Sequence, residues 1–168
     1  PYDKDKNTLV SCDNILVSLN KEDTTSLLHD VPKAYNTQIN DVLLTALVFP
    51  FEQWTGGKTL NIELEGHGRE ELFDDIDVSR TLGWFTALYP AVLRVQNKCD
   101  LGESIKSIKE QLRGIPNKGL GFGLLKYLSR DDEIRSKLHV LPQPEISFNY
   151  LGQFDNVLSK APVIKLAE

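Results

Sequence analysis

The sequence predicts an α/β fold in which helices cover a mixed β-sheet. Apolar and polar residues alternate over residues 60–65, within the strand predicted at 58–66, and a period of two residues is the mark of a strand. After Asp100, apolar residues recur three and four positions apart, which is the spacing of one helix face. Segments of both kinds alternate along the chain without an internal repeat or a linker-like stretch. We therefore treat residues 1–168 as a single unit.

The first two predicted elements lie before residue 36. Residues 8–19 are rich in β-forming types, and Ile15, Val17 and Leu19 alternate with their neighbours, so a strand is predicted there. Asn20 is a good N-cap, and the apolar residues that follow recur at helical spacing up to Pro32. The sequence thus predicts a helix that starts after Asn20 and ends at Pro32.

A second helix is predicted from about Thr37 to the Gly56-Gly57 pair. Pro50 interrupts it, because its ring would collide with the carbonyl of Ala46, and we expect a kink or an early end there. The predicted apolar stripe of this helix consists of Leu43, Ala46, Leu47, Phe51 and Trp54.

The remaining elements complete the sheet and its cover. In the strand at 58–66, the apolar face carries Leu60, Ile62 and Leu64. A second strand is predicted over residues 85–95, and its Pro90 indicates an edge position or a bulge. The helix capped by Asp100 is stopped by Gly114. A short helix over 124–128 and a last strand over 145–150 follow.

Composition and charge exclude several classes of function. The chain is 40% hydrophobic and 26% charged, which is ordinary for a globular domain. Its 24 acidic residues outnumber 19 lysines and arginines, giving a net charge of −5, so we expect no nucleic-acid partner. The longest apolar run, residues 42–51, is too short to cross a bilayer, and no leader segment is seen. Cys12 and Cys99 are expected to be reduced, buried thiols, and a cytoplasmic location is expected.

The segment 65–70, with the sequence EGHGRE, is the strongest candidate for chemistry. It places two carboxylates, an imidazole and a guanidinium around two glycines at a strand end. Glu65 lies on the face opposite Leu60, Ile62 and Leu64, so it becomes a candidate proton-transfer group if that face borders a cleft. Spacing alone favours the simpler interpretation of a solvated, charged turn.

Five segments, in order, resemble the signature motifs of the epimerization domains of non-ribosomal peptide synthetases. The 65–70 hexapeptide is one, and residues 148–155 match the family pattern F-N-Y-L-G-Q-F-D throughout. Phe122 replaces the usual Tyr in one motif. The other three segments are 41–46 (DVLLTA), 80–90 (RTLGWFTALYP) and 116–123 (PNKGLGFG).

The resemblance implies a fold and a reaction. The fold is one lobe of a two-lobed, chloramphenicol-acetyltransferase-like α/β domain with its active site in a channel between the lobes. The substrate is an aminoacyl or peptidyl thioester on the phosphopantetheine arm of a carrier-protein domain. Its Cα proton is removed and then returned on the opposite face, which converts the L form to the D form without a cofactor or metal of the domain's own.

The resemblance also implies site residues. Glu65 is one acid/base group, and Arg69 is expected to hold it ionised or to orient it, as a nearby opposite charge does. Asn149 and Tyr150 match positions associated with the active site, and the alternative for Tyr150 is core packing beside Phe148. For His67 we expect a turn-stabilising role.

One family feature is missing from the sequence. The family carries an H-H-x-x-x-D-G type motif in its N-terminal lobe, whereas this chain has three isolated histidines. The chain also contains no Met. We therefore expect the C-terminal lobe alone, as a piece of a longer protein, and we expect the isolated chain to be inactive.

Two alternatives and several weaker signals remain. A condensation-type lobe that forms peptide bonds is one alternative, although the GWFT and EGHGRE segments differ from the condensation pattern. A non-catalytic docking module for a carrier protein is the other.

The glycine cluster at 119–123 lacks the G-x-G-x-x-G spacing of a phosphate-binding loop, so we interpret it as a close helix–sheet turn. The cysteines show no zinc-site spacing.

Overall fold

The computed structural model describes residues 8–95 and 100–153, and its centre is a three-stranded mixed sheet with the order β2-β1-β3. Strand β1 (Leu60–Gly66) pairs antiparallel with β2 (Ala87–Leu93) and parallel with β3 (Ser147–Phe148). This confirms the predicted α/β class. Strand β2 lies at the edge of the described sheet, where Pro90 is tolerated because its missing N–H is not needed on an outer side.

Helical segments make up most of the rest of the described chain. Short 3₁₀ turns at Leu9–Ser11 and Pro116–Gly119 and π-turns at Ser26–Asp30 and Leu124–Leu128 connect or extend them. No helix in the ranges 8–95 and 100–153 is long and apolar enough to pass through a membrane. The α-helices are α1 (Lys21–Thr25), α2 (Val31–Tyr35), α3 (Ile39–Thr55), α4 (Leu101–Arg113), α5 (Leu120–Gly123) and α6 (Asp132–His139).

Helices α3 and α4 pack on one face of the sheet and form the core with it. Leu60, Ile62 and Leu64 of β1 are buried, as the alternation predicts, and Ile62 is fully inaccessible. Burying a side chain of this size contributes about 1.5–3 kcal/mol. The helices contribute Leu44 and Val48 from α3 and Ile108 from α4 to this cluster.

The predicted strand over residues 8–19 is wrong. Apart from the turn at Leu9–Ser11, the segment has no regular structure, and Ile15 and Leu16 are 90% and 93% exposed. A strand needs a neighbour to accept and donate its backbone hydrogen bonds, and none is supplied here by the described residues. Cys12 in this segment is exposed and not buried as expected, whereas Cys99 lies outside the described residues.

Neither Pro32 nor Pro50 ends the helical segment in which it lies. The helical run that begins at Lys21 continues past Pro32, the second residue of α2, and ends at Asn36, in the left-handed region with φ 50°. Helix α3 passes through the exposed Pro50 to Thr55 and ends at Gly56, whose φ is 68°. Its buried residues also differ from the predicted stripe, since Ala46 and Trp54 are exposed. The buried residues of α3 are Asp41, Val42, Leu44, Thr45 and Val48.

Several local predictions are confirmed and one is too long. The Asn20 and Asp100 side chains accept hydrogen bonds from the backbone of Asp23 and Glu103, which starts α1 and α4 as predicted. The 145–150 strand shortens to Ser147–Phe148. Gly119, at φ 81°, lies so close to the Tyr89 ring that a Cβ there would be 2.1 Å from it. Gly119 thus makes the predicted close approach of helix and sheet, whereas a Cβ on Gly121 or Gly123 would meet no atom within 4 Å.

Candidate active site

The end of β1 opens into a cavity of about 760 Å³, which we call the site cleft. Strand β1 contributes Glu65 to its wall, and β2 contributes Tyr89. The start of α3 and the end of α4 close two further sides. The residues after β3, Asn149 and Tyr150, complete it. Three of the four site residues predicted from the sequence therefore line one cavity.

Glu65 and Asn149 are joined directly. The Asn149 amide Nδ2 donates a hydrogen bond of 2.7 Å to Glu65 Oε2. Parallel pairing of β1 with β3 sets Leu64 opposite Phe148, and this register brings the two next residues side by side across 84 positions of sequence. A hydrogen bond of this kind fixes the orientation of the carboxylate.

Tyr150 also faces the site cleft. Strand alternation separates its side from that of Asn149, yet β3 ends at Phe148 and both residues line the same cavity beyond it. Tyr150 is half-buried, and the hydrophobic cluster of the core includes Phe148 but not Tyr150. The arrangement thus favours a place at the cleft wall over packing in the core.

Among the described residues, Arg69 forms no hydrogen bond or ion pair with Glu65, the group it is expected to hold ionised or to orient. Its guanidinium donates hydrogen bonds of 2.7 Å to the carbonyl oxygens of Val78 and Thr81 and of 3.2 Å to that of Gly83. The same group lies 4.2 Å from the centre of the Phe85 ring. Arg69 therefore organises the segment that leads into β2, at a turn outside the site cleft.

His67 stabilises the turn at the strand end, as predicted. Its Nδ1 accepts a 3.0 Å hydrogen bond from the backbone N–H of Arg69, and Nε2 lies 3.1 Å from Glu70 Oε1. The other oxygen of Glu70 lies 2.7 Å from Lys118 Nζ.

Burial of the Tyr89 ring, and secondly the negative charge of Glu70, raise the pKa of the Tyr89 hydroxyl above its usual range.

Glycine is required at one position of this turn. Gly68 has φ 67°, and a Cβ on it would lie 1.6 Å from the carbonyl oxygen of Phe85. A residue with a side chain cannot occupy this position without moving the backbone. Gly68 thus seats the turn against the start of β2 and so fixes where Glu65 leaves the sheet.

Sequence reasoning missed three residues of the cleft wall. Tyr89, Glu70 and Lys118 all line the site cleft. Each lies inside a segment that resembles one of the family's signature motifs, so its position in a motif was an available signal. Within residues 8–95 and 100–153, no cluster of three or more His, Cys, Asp or Glu side chains is placed to hold a metal ion.

Comparisons with known proteins show the family to which the chain belongs. The Condensation domain family matches residues 1–163. A linear gramicidin synthase polypeptide of Brevibacillus parabrevis is 49% identical over the whole chain, which spans 2% of that protein. Surfactin synthase subunit 1 of Bacillus subtilis (strain 168) is 46% identical over 83% of the chain, which spans 4% of it.

Solved structures show the same relationship. The epimerization domain from the third module of tyrocidine synthetase B is 45% identical, with a TM-score of 0.72 over 83% of this chain and 31% of that one. The first condensation domain of the CDA synthetase in complex with a substrate analogue shares the fold at 14% identity, with a TM-score of 0.52 over 74% of this chain and 25% of that chain. The chain is a member of the condensation-domain family of peptide synthetases, with the chloramphenicol-acetyltransferase-like fold.

Proposed function

We propose that the chain is the C-terminal lobe of an epimerization domain, and that Glu65 transfers a proton at Cα of a carrier-bound thioester. The observation that supports this most directly is the hydrogen bond of 2.7 Å from Asn149 to Glu65 at the wall of the site cleft. It joins residues of two different signature motifs at one carboxylate. The solved epimerization domain with 45% identity supports the same reaction class.

The chemistry needs groups on both faces of Cα. One base removes the proton and leaves a thioester enolate, and an acid on the opposite face returns a proton to the same carbon. The enolate oxygen requires hydrogen bonds or positive charge while the carbon is planar. In this proposal Glu65 acts on one face, Asn149 holds it in position, and Tyr150 borders the substrate.

The second acid/base group comes from outside this chain. We infer a histidine of an N-terminal lobe that belongs to the same longer polypeptide and closes the site cleft from the other side. The phosphopantetheine arm of a carrier protein brings the thioester between the lobes, and the domain contributes no cofactor of its own. The isolated chain then lacks half of the proton relay and does not turn over.

The test is a Glu65→Gln substitution in the longer polypeptide. The change keeps the shape and the contact with Asn149 but removes the proton acceptor. We expect release of a Cα deuterium label from the carrier-bound aminoacyl thioester to fall about 10²–10⁴-fold. Label release at the wild-type rate from both the L and the D thioester would remove Glu65 from the mechanism.

A matched control separates this effect from a general loss of charge. Glu133 lies on α6, away from the site cleft, with its side chain 75% exposed in a pair with Lys137. The Glu133→Gln variant removes the same charge and should leave label release unchanged. Equal losses in both variants would indicate an effect on folding or on carrier binding instead.

A further inference from the structure

The Tyr89 ring lies beside the end of β1 that carries Glu65. A Cβ on Gly119 would be 2.1 Å from Tyr89 Cγ, whereas a Cβ on Gly66 would be 3.6 Å from Tyr89 Cε1. The first contact is at the root of the ring, and the second is at the carbon next to the one that bears the hydroxyl. The hydroxyl end of the ring therefore lies next to Gly66, the residue that follows Glu65.

The Tyr89 hydroxyl is available to a molecule in the site cleft. It forms no hydrogen bond with the part of the chain that the structure describes. It is also absent from the inaccessible side-chain atoms that lack a partner there, so its oxygen is open to solvent. Because Tyr89 lines the site cleft, the hydroxyl offers a hydrogen-bond donor without breaking an existing bond of the described chain.

Two cations on the wall of the site cleft are already paired with carboxylates. Lys118 Nζ lies 2.7 Å from Glu70 Oε2, and Arg113 Nη1 lies 3.5 Å from Glu110 Oε1. A negative charge that develops on a substrate oxygen must compete with these carboxylates for either cation. A donor without a partner needs no such rearrangement during the reaction, so Tyr89 is the better placed group.

Strand geometry separates the Tyr89 hydroxyl from the Glu65 carboxylate. Tyr89 is the cross-strand partner of Leu64 and lies on the same face of the sheet, whereas Glu65 points to the opposite face. A hydrogen bond to a carbonyl oxygen lies near the plane of the carbonyl group, but a proton on the neighbouring carbon leaves perpendicular to that plane. A donor and a base from different faces of β1 can therefore act together on one thioester beyond the strand end.

We propose that the Tyr89 hydroxyl donates a hydrogen bond to the carbonyl oxygen of the thioester and stabilises the enolate that forms there. This inference rests on the proposed function and assigns the group that the enolate oxygen requires. When the Cα proton passes to the base, the C–H electron pair forms the C=C bond and the carbonyl π pair moves to oxygen. The hydroxyl proton stays on Tyr89, and its raised pKa agrees with this, because the phenol remains a donor at neutral pH.

A Tyr89→Phe substitution in the longer polypeptide tests the proposal. It removes the hydroxyl and keeps the ring that packs against Gly119. We expect kcat for release of Cα deuterium from the carrier-bound L-aminoacyl thioester to fall about 10²–10³-fold, with little change in KM. Tyr127→Phe, at a tyrosine that is 64% exposed and outside the site cleft, should leave both constants unchanged. An unchanged kcat in Tyr89→Phe would overturn the proposal.

Two further measurements separate this role from a structural one. In a Glu65→Gln background, which slows turnover, a thioester labelled with ¹³C at its carbonyl should show a lower stretching frequency with Tyr89 than with Phe at that position. Equal frequencies would contradict the hydrogen bond. The thermal midpoint of Tyr89→Phe should equal that of the wild-type chain, since no bond within the fold is lost, and a lowered midpoint would count against a free hydroxyl.

The same assays distinguish this inference from the proposed function. Slow label release in Glu65→Gln together with wild-type release in Tyr89→Phe would overturn the role of Tyr89 alone. Wild-type release from both the L and the D thioester in Glu65→Gln, with slow release in Tyr89→Phe, would overturn the role of Glu65 and support the hydrogen bond from Tyr89.

Discussion

Strand β1 and the segment over residues 15–19 have the same kind of sequence and opposite structures. Both alternate β-forming apolar residues with others. In β1, Leu60, Ile62 and Leu64 are buried and the backbone pairs with strands on both sides. In the other segment Ile15 and Val17 are 90% and 81% exposed, and no described strand pairs with it. Alternation therefore encodes a capacity for pairing, and a neighbouring strand decides whether a sheet forms.

The largest expected effect is a difference in the free energy of unfolding between the same substitution made in β1 and in residues 15–19. Ile62→Ala creates a cavity in the core and should lower the free energy of unfolding by about 2–5 kcal/mol. Ile15→Ala, the same change at an exposed position, should alter it by less than about 0.5 kcal/mol. Urea denaturation followed by circular dichroism measures both. A comparable loss at Ile15 would mean that its segment is packed in solution.

The turn after β1 should be almost as sensitive as its core. Gly68→Ala puts a Cβ in the left-handed region and against the Phe85 carbonyl, so we expect a loss of about 2–4 kcal/mol. Gly121→Ala is the matched control, because a Cβ there meets no atom within 4 Å. The thermal midpoint of each variant gives the comparison. Equal midpoints would show that the turn is not held as described.

The Arg69→Gln variant tests whether the guanidinium stabilises the turn after β1 or acts as a charge partner of Glu65. Arg69→Gln removes charge-assisted bonds to three carbonyls, which should cost about 1.5–3 kcal/mol. Urea denaturation followed by circular dichroism measures that loss. In the longer polypeptide the pH midpoint of label exchange should stay where it is. A shift of that midpoint would restore Arg69 as a charge partner of Glu65.

The smallest expected effect contrasts two helix caps. Asp100→Ala removes the cap of α4, which packs into the core, and should cost about 1 kcal/mol of global stability. Asn20→Ala removes the equivalent bond at α1, which buries no side chain, so the global cost should be smaller. Denaturant midpoints measure both variants. The opposite ranking would show that α1 is coupled to the core.

The features that could be predicted from the sequence are those that depend on the local spacing of residues. The burial of Ile62 follows from alternation, and the cap at Asp100 from its spacing to Glu103. The contact of Glu65 with Asn149 was within reach only because the family resemblance put both in site motifs. Its geometry depends on the register of two strands 84 residues apart.

The partners of Arg69 could not be predicted in the same way. They are backbone carbonyls 9 to 14 positions away, and any residue type supplies the same acceptor. The continuation of α3 through Pro50 was missed for a related reason. A proline excludes one ladder hydrogen bond, but the packing of Leu44 and Val48 holds the helix to the sheet despite that loss.

The most direct measurement is the product formed in D₂O by the longer polypeptide with an L-aminoacyl thioester on its carrier protein. We predict a mixture of L and D products in which the D product carries one solvent deuterium at Cα. We also predict that Glu65→Gln forms the deuterated D product about 10²–10⁴-fold more slowly. A wild-type product that stays L and unlabelled while a new peptide bond forms would contradict proton transfer at Glu65.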